Sequence, residues 1–185
     1  MSAPDPSSTA SRLCASCGMC CDGVMFHRIM LQPGDSPKAL ASLGLRLKRK
    51  RKQDCILQPC PAHDGRRCMI YESRPVRCRI FECRQLNRVA AGAITEEEAL
   101  EKISEARRLV SEVNALLLRL GTTNSKQPLA KRFENMMNGN PDSSPDDPAT
   151  HTRSQLTRAM RDLETLLEQY FRIETLELPE VFGGS

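Results

Sequence analysis

The sequence predicts an α+β protein in which a small cysteine-rich module with little regular sheet is followed by amphipathic α-helices. Two observations predict this fold class. All nine cysteines of the 185-residue chain lie between residues 14 and 83, among short strand-like and turn-rich segments. Residues 93–185 instead carry apolar side chains at helical spacing. Aromatic residues make up only 4% of the chain, and Trp is absent. The cysteine segment therefore has too little apolar material to fold without a cross-link such as a metal centre or disulfides.

The first segments of the chain are short. Residues 1–12 are rich in Ser, Pro and Ala and are expected to be disordered. Residues 24–31 have strand-like composition and end at a Gln-Pro-Gly turn signal. A short helix is predicted to begin at Ser36-Pro37, with Ser36 as N-cap and Pro37 at the first helical position, and to end near Gly44.

A basic run from Arg46 to Lys52 contains six basic residues in seven. It predicts either an exposed loop or hairpin, or a surface that contacts nucleic acid or another anionic partner. No aromatic stacking residue accompanies the run, so a nucleic-acid contact would depend on phosphate neutralisation. The exposed loop or hairpin is the favoured interpretation.

Turn and helix signals separate the later cysteines. The Asp-Gly pair at 64–65 predicts a tight two-residue turn, which would place Cys60 opposite residue 69 and therefore beside Cys68. Pro75 suits the first position of a helix that runs toward Gly92.

The second half of the chain is predicted to be helical. Thr95 begins a capping box with Glu98, and a long amphipathic helix follows until Gly121. A shorter helix is expected over residues 128–137, and a last amphipathic helix follows a flexible acidic linker. The two long helices are expected to cover each other or the cysteine module, with a protein partner as the alternative. Their apolar positions are Leu100, Ile103, Val110, Val113, Leu117, Leu120, Leu156, Ala159, Met160, Leu163, Leu166, Leu167, Tyr170 and Phe171.

The cellular compartment decides how the cysteines are interpreted. The N-terminus lacks the apolar core of a signal peptide, and no stretch approaches the ~18 apolar residues of a membrane span. We therefore expect a cytoplasmic protein without membrane contact, in which reduced thiols favour metal over disulfides. Residues 1–92 hold sixteen Lys or Arg against seven Asp or Glu, and basic side chains would offset the charge of metal-bound thiolates. The arginines among the cysteines are Arg66, Arg67, Arg74, Arg77, Arg79 and Arg84.

The cysteines form two groups in the sequence. In the first, two-residue gaps allow consecutive thiolates to curl around one centre, whereas the adjacent side chains of Cys20 and Cys21 are expected to diverge. In the second, Cys78 and Cys83 would lie about 140° apart on a regular helix, so they serve different centres or the helix breaks between them. Without Cys55, eight thiols remain, which is enough for two four-coordinate centres. The sequence leaves their partition open.

The same residues carry a family resemblance. The segments are Cys14-x2-Cys17-x2-Cys20-Cys21, Pro59-Cys60-Pro61, Cys68-Met-Ile-Tyr71-Glu72 and Arg74-Pro75-x2-Cys78-Arg79-x-Phe81-x-Cys83. In this order they resemble the CxxCxxCC cysteine-cluster family, also called the YkgJ-like zinc- or iron-chelating domain, over about residues 13–88. The resemblance implies metal or iron–sulfur binding and a ligand set of Cys14, Cys17, Cys20, Cys21, Cys60, Cys68, Cys78 and Cys83. Cys55 and His63 depart from the pattern; Cys55 is expected to be a packing residue and His63 an exposed turn residue.

The cofactor is expected to be an iron–sulfur cluster or zinc, in one or two centres, since all-sulfur ligation suits both. The ferredoxin-like spacing of Cys14, Cys17 and Cys20 favours iron–sulfur. The expected role is structural, electron-transfer or sensing. The alternatives are a zinc module that contacts an anionic partner through the basic run, and a cluster-dependent enzyme such as a methylase-like protein. The chain has no Gly-rich nucleotide loop and no evident acid–base pair, which argues against an enzyme acting on its own.

Six parts are therefore predicted along the chain. They are a disordered N-terminus at 1–12, a cysteine-cluster metal-binding domain at 13–92, a helical extension at 93–137, a flexible linker at 138–150, a C-terminal helix at 151–178 and a tail at 179–185. Because few apolar residues lie in the cysteine domain, the metal is expected to contribute directly to its folding.

Overall fold

The computed structural model describes residues 9–50, 53–65, 67–139 and 148–173. Its seven α-helices and three short strands confirm the α+β class with little sheet. A 3₁₀ turn at Tyr71–Ser73 precedes the third helix. In chain order the elements are α1 (Thr9–Cys17), β1 (Arg28–Met30), α2 (Pro37–Ser42), β2 (Leu47–Lys50), β3 (Gln53–Leu57), α3 (Val76–Ile80), α4 (Arg84–Ala90), α5 (Glu96–Arg119), α6 (Leu129–Asn138) and α7 (Pro148–Tyr170).

The sheet is antiparallel, with strand order β1-β3-β2. Ile29 lies opposite Ile56, and Lys48 lies opposite Cys55. Residues 47–50 of the basic run form β2, which pairs with β3 as the hairpin interpretation predicts. The strand expected at 24–31 is shorter, since β1 covers Arg28–Met30. The residues before it form turns instead, where the Val24 amide bonds to the Asp22 carboxylate.

The larger hydrophobic core is helical. α5 and α7 pack along their lengths, and the apolar stripes of both helices are buried, so the two predicted amphipathic helices do cover each other. Thr95 and Glu98 form the predicted capping box at the start of α5. The fully buried members of this core include Leu13, Met19, Val113, Leu117, Leu129, Leu156, Leu163, Leu167 and Phe171.

Helix α1 corrects the expectation of disorder through residue 12. It begins at Thr9 and packs on α5. Leu13 is 1% exposed within the helical core, and the Arg12 guanidinium lies 2.6 Å from the Glu96 carboxylate at the start of α5. Burial of Leu13 and this ion pair order a segment whose composition alone predicts disorder. Residues 1–8 lie outside the described part of the chain.

A smaller core lies against the sheet and α2. It contains Ile29, Leu31, Leu40, Leu45, Ile56 and Ala62. Phe26 packs against both this sheet core and the helical core, and its ring meets that of Phe81 edge-on, with centroids 5.0 Å apart. Phe26 therefore joins the two cores.

The predicted helix from Pro75 toward Gly92 is broken. α3 ends at Ile80 and α4 begins at Arg84. The helix therefore breaks between Cys78 and Cys83, which is one of the two arrangements that their spacing predicted. Cys83, in extended conformation, is the N-cap of α4. The break frees the two side chains from a common helix geometry.

The turn after Cys60 also differs from its prediction. An isolated antiparallel bridge joins His63 to Cys68, and the Met69 amide donates to the Ala62 carbonyl at 2.8 Å. The loop inside the bridge thus has four residues, whereas the predicted turn had two. The Asp64 amide bonds to the carbonyl of Arg67 within this loop. Cys60 still lies near Cys68, but on a shifted register.

The end of α7 docks on the cysteine module. The Arg84 amide donates to the Phe171 carbonyl at 3.0 Å, and the Gln85 side chain donates to the Tyr170 carbonyl at 3.0 Å. The Arg84 guanidinium also caps α7 through the Gln169 carbonyl. α7 begins at Pro148, before the boundary expected at 151, while residues 140–147 of the expected linker and residues 174–185 lie outside the described part. No described helix is both long enough and apolar enough to span a membrane.

Candidate metal centre

Eight of the nine cysteines converge on one cavity of about 570 Å³. Among its described lining residues there is no carboxylate, and most of its wall is apolar. Cys55 lies elsewhere, on β3. It is 1% exposed, and its thiol donates to the Lys48 carbonyl at 3.1 Å, so it packs in the core as expected. The thiols that line the cavity belong to Cys14, Cys17, Cys20, Cys21, Cys60, Cys68, Cys78 and Cys83.

The first cysteine motif is built on the end of a helix. Cys14 and Cys17 lie three residues apart on α1 and therefore share one face. Gly18 ends the helix in the left-handed conformation, with φ of 63°, and its amide bonds to the Cys14 carbonyl at 3.0 Å. The chain then turns back, since the Cys21 amide donates to the Gly18 carbonyl at 2.8 Å. This turn brings Cys20 back toward the face of α1.

His63 closes one side of this turn. A Cβ atom added to Gly18 would lie 3.0 Å from Cε1 and 3.2 Å from Nε2 of the His63 ring. The imidazole is half-buried and lines the cavity, which corrects the expectation of an exposed turn residue. Since its backbone pairs with Cys68, His63 links the two cysteine motifs.

Cys83 receives its position from the helical half of the molecule. Burial raises the pKa of its thiol, while the backbone amides of Leu86 and Gln85 at the N-terminus of α4 act to lower that pKa. Gln85 is 1% exposed and is held by the carbonyl of Tyr170. The C-terminal helix therefore supports the position of Cys83 through Gln85.

Cys21, Cys60 and Cys68 meet through the backbone. The Cys60 amide donates to the Cys21 carbonyl at 2.7 Å, and the His63–Cys68 bridge returns the chain to the same place. Cys78 comes from α3, which contacts β1. The first amide of α3, from Val76, is held by the Asp35 carboxylate at 2.8 Å.

Burial raises the pKa values of several cavity thiols above the ordinary value of 9.0. It raises the pKa of Cys14 to about 11 and the pKa values of Cys17 and Cys78 to about 12. The pKa values of Cys20 and Cys21 are also raised, first by burial and then by neighbouring thiols. Without metal these thiols are protonated at neutral pH, so metal binding has to displace their protons.

Arginines moderate the charge at the cavity. The Arg74 guanidinium stacks 3.6 Å from the centroid of the Tyr71 ring, and its charge acts to lower the pKa values of both Cys14 and Cys78. Arg67 and Arg77 also line the cavity. Of the other arginines considered from the sequence, Arg84 caps α7, Arg79 is exposed, and Arg66 lies outside the described residues.

Two buried glutamines are site residues that the sequence analysis missed. Gln58 is 4% exposed and Gln85 1%, and both line the cavity. Their side-chain carbonyl oxygens have no hydrogen-bond partner among the described residues. No motif marks them, because glutamine is ordinarily a surface residue.

The thiols line one cavity but are not grouped tightly within it. Within the described part of the chain, no three His, Cys, Asp or Glu side chains are grouped closely enough to hold a metal as they stand. The donor set nevertheless fits a soft metal, because thiolates select zinc and iron–sulfur clusters over the hard cations that prefer oxygen. Ligation would therefore draw the thiols of the cavity together.

Comparison with known proteins identifies a metal-chelating family. Residues 13–107 match the family model CxxCxxCC, described as "Putative zinc- or iron-chelating domain". The match extends past the segment recognised from the motifs and into α5. Searches of curated proteins and of solved structures give no match.

Proposed function

Because the chain belongs to the CxxCxxCC family of zinc- or iron-chelating domains, we propose that it holds iron–sulfur clusters, with zinc as the alternative, through its eight cavity cysteines. The proposed role is structural, electron-transfer or sensing. One observation carries the proposal: eight cysteines from distant parts of the sequence line a single cavity, and Cys55 does not. The ligands are Cys14, Cys17, Cys20, Cys21, Cys60, Cys68, Cys78 and Cys83.

The size and lining of the cavity support iron–sulfur over zinc. A zinc ion held by four thiolates needs little space beyond the sulfur atoms, whereas a cluster also brings inorganic sulfide. The volume of about 570 Å³ leaves room for that sulfide. Phe26, Phe81 and Phe171 line the wall and would limit the access of water, which together with hydrogen bonds to sulfur sets the potential of a cluster.

The chain supplies charge compensation and hydrogen bonds. Arg74 acts on thiols from both halves of the cysteine sequence, and backbone amides of α4 point at the Cys83 sulfur. Such contacts stabilise thiolates and tune a bound centre. When bound, a cluster would supply a one-electron redox couple, and zinc would supply a fixed cross-link.

Anaerobic purification followed by an ultraviolet–visible spectrum and elemental analysis tests the proposal. A brown protein that absorbs near ~400 nm, with matched iron and acid-labile sulfide, is the expected result. A colourless protein with stoichiometric zinc would replace iron–sulfur by the alternative. Absence of both metals after anaerobic handling, and failure to take up either one on reconstitution, would overturn metal binding altogether.

An anionic partner is a second candidate because β2 is an edge strand with exposed cations. Lys48, Arg49 and Lys50 are all exposed, while Arg46 is held internally by the carbonyls of Pro59 and Lys126. Residues 51 and 52 of the run lie outside the described part. Binding of a mixed-sequence oligonucleotide that weakens steeply with salt, and that is lost in a Lys48→Glu/Lys50→Glu variant, would support this role. Binding that is insensitive to both changes would remove it.

A further inference from the structure

We propose that the eight thiols form two separate four-cysteine centres, one of Cys14, Cys17, Cys20 and Cys83 and the other of Cys21, Cys60, Cys68 and Cys78. This inference rests on the proposed function and adds the partition that neither the motif spacing nor the family match provides. In the sequence the ligands of the first centre enclose those of the second.

The first centre belongs to the helical core. Cys17 and Cys20 pack against that core, and Cys14 shares the face of α1 with Cys17. Cys83 joins them from the start of α4, whose Leu86 and Val89 pack against the same core. The backbone bond from Arg84 to Phe171 fixes the start of α4 there. All four thiols are thus attached to the assembly of α1, α4, α5 and α7.

The second centre belongs to the sheet core. Cys60 and Cys78 pack against the cluster that contains Ile29 and Ile56. Cys21 is brought to Cys60 by the 2.7 Å backbone bond, and Cys68 is brought there by its bridge to His63. Cys60 and Cys68 thus lie in the loop after β3, Cys78 lies on α3, which contacts β1, and Cys21 reaches them from the turn after α1.

The chain crosses from one group of cysteines to the other at two places, and the local structure at both places is consistent with the partition. Cys20 and Cys21 are adjacent, and side chains of adjacent residues diverge, so each can face a different core. Cys78 and Cys83 lie on either side of the break between α3 and α4. Phe26 packs against both cores, and its ring meets that of Phe81 edge-on, so an aromatic pair lies where the two cores meet.

Electrostatic coupling between the thiols agrees with the same partition. The charge of Cys83 acts on Cys14, Cys17 and Cys20, whereas Cys21 is coupled to Cys60, Cys68 and Cys78. Cys78 is likewise coupled to Cys60 and Cys68. Cys20 is also coupled to Cys21 across the two groups, as expected of neighbours in sequence.

Cobalt(II) titration of the metal-free full-length chain counts the centres, because Co²⁺ replaces zinc in thiolate sites and has a visible spectrum. We expect saturation at two Co²⁺ per chain, each with a four-thiolate spectrum. Saturation at one, or a spectrum that shows mixed nitrogen and sulfur ligation, would overturn the partition. This measurement requires no substitution, so it decides the number of centres even if the cysteine variants below do not fold.

Paired substitutions then test which thiols share a centre, with bound metal per chain as the readout. Cys83→Ser and Cys78→Ser should each retain one of two centres. The pair Cys14→Ser/Cys83→Ser should also retain one, since both residues belong to the same centre. In contrast, Cys14→Ser/Cys78→Ser should retain none. If the first pair retained none or the second retained one, the partition would be wrong.

Two controls separate the possible failures. Cys55→Ser should retain both centres, because Cys55 lies outside the cavity, and far-ultraviolet circular dichroism should show that each variant keeps its long helices. A wild-type chain that takes up no zinc, iron or Co²⁺ would refute the proposed function itself. Metal uptake by the wild type with a different pattern among the variants would refute only the partition.

Discussion

The backbone amide of Cys60 donates a hydrogen bond to the carbonyl of Cys21, with 2.7 Å between the two atoms. This bond joins the first cysteine motif to the second at a point where neither lies in a helix or strand. Beside it, His63 contacts Gly18 through its ring and pairs with Cys68 through its backbone. Contacts within the protein thus hold the two cysteine motifs next to each other.

The contact between Gly18 and His63 predicts that a methyl group added at residue 18 lowers the stability of the protein. Gly18→Ala would force Ala into a left-handed conformation and push its Cβ into the ring 3.0 Å away. The backbone strain alone costs about 1–2 kcal/mol, and the clash adds to it. We expect a larger loss of unfolding free energy, measured in urea, than for Gly92→Ala, because Gly92 has a similar φ of 68° and no neighbour within 4 Å of its added Cβ. Equal losses for both variants would contradict the contact, and His63→Ala should recover part of the Gly18→Ala loss.

Cys55 is predicted to matter for stability and not for metal. Replacement by Ala removes a buried sulfur from the sheet and frees the Lys48 carbonyl, which should lower the unfolding free energy by about 1 kcal/mol. Metal content, measured by elemental analysis, should stay at the wild-type value. Cys78→Ala provides the matched control and should lose metal. A decrease in the metal content of Cys55→Ala would place Cys55 among the ligands.

The pairing of α5 and α7 predicts a strong effect of truncating Leu163. This side chain is fully buried between the helices, so Leu163→Ala should cost about 2–4 kcal/mol of unfolding free energy. Leu118→Ala is the control on α5, because Leu118 is 63% exposed and its truncation should change stability by less than about 0.5 kcal/mol. Urea unfolding followed by circular dichroism measures both. If the two variants lost similar stability, the apolar face of α7 would not be buried against α5.

The raised thiol pKa values predict that the metal-stripped protein loses stability in alkali. The pKa of Cys14 is about 11 and those of Cys17 and Cys78 are about 12 in the folded chain, against an ordinary 9.0. The unfolded chain therefore releases these protons at lower pH than the folded chain. The stabilisation is complete below about pH 9 and declines as the pH rises toward the folded pKa values.

Urea midpoints of the metal-stripped protein, compared between about pH 7.5 and pH 10 under reducing conditions, measure this decline. Cys17→Ala should weaken the pH dependence, because the residue with the raised pKa is then absent. A midpoint that rose with pH would contradict the burial of these thiols. Oxidation to disulfides has to be excluded by thiol titration in the same samples.

The sequence by itself determined the local features of this protein. The spacing of apolar residues predicted α5 and α7, and the Thr95–Glu98 capping box placed the start of α5, because both signals act within one or two helical turns. The density and order of the cysteines likewise indicated the family and the donor chemistry. Each of these signals depends on residues that are close together in the chain.

Tertiary structure alone decided which distant residues meet. Leu13 orders a helix in a segment that composition marks as disordered, since its burial against α5 outweighs local preference. The register of His63 with Cys68, the break before Cys83 and the support of Gln85 by Tyr170 all depend on contacts between segments far apart in the chain. The spacing of cysteines can indicate candidate ligands, but which of these thiols lie near one another depends on how distant segments pack in the folded chain.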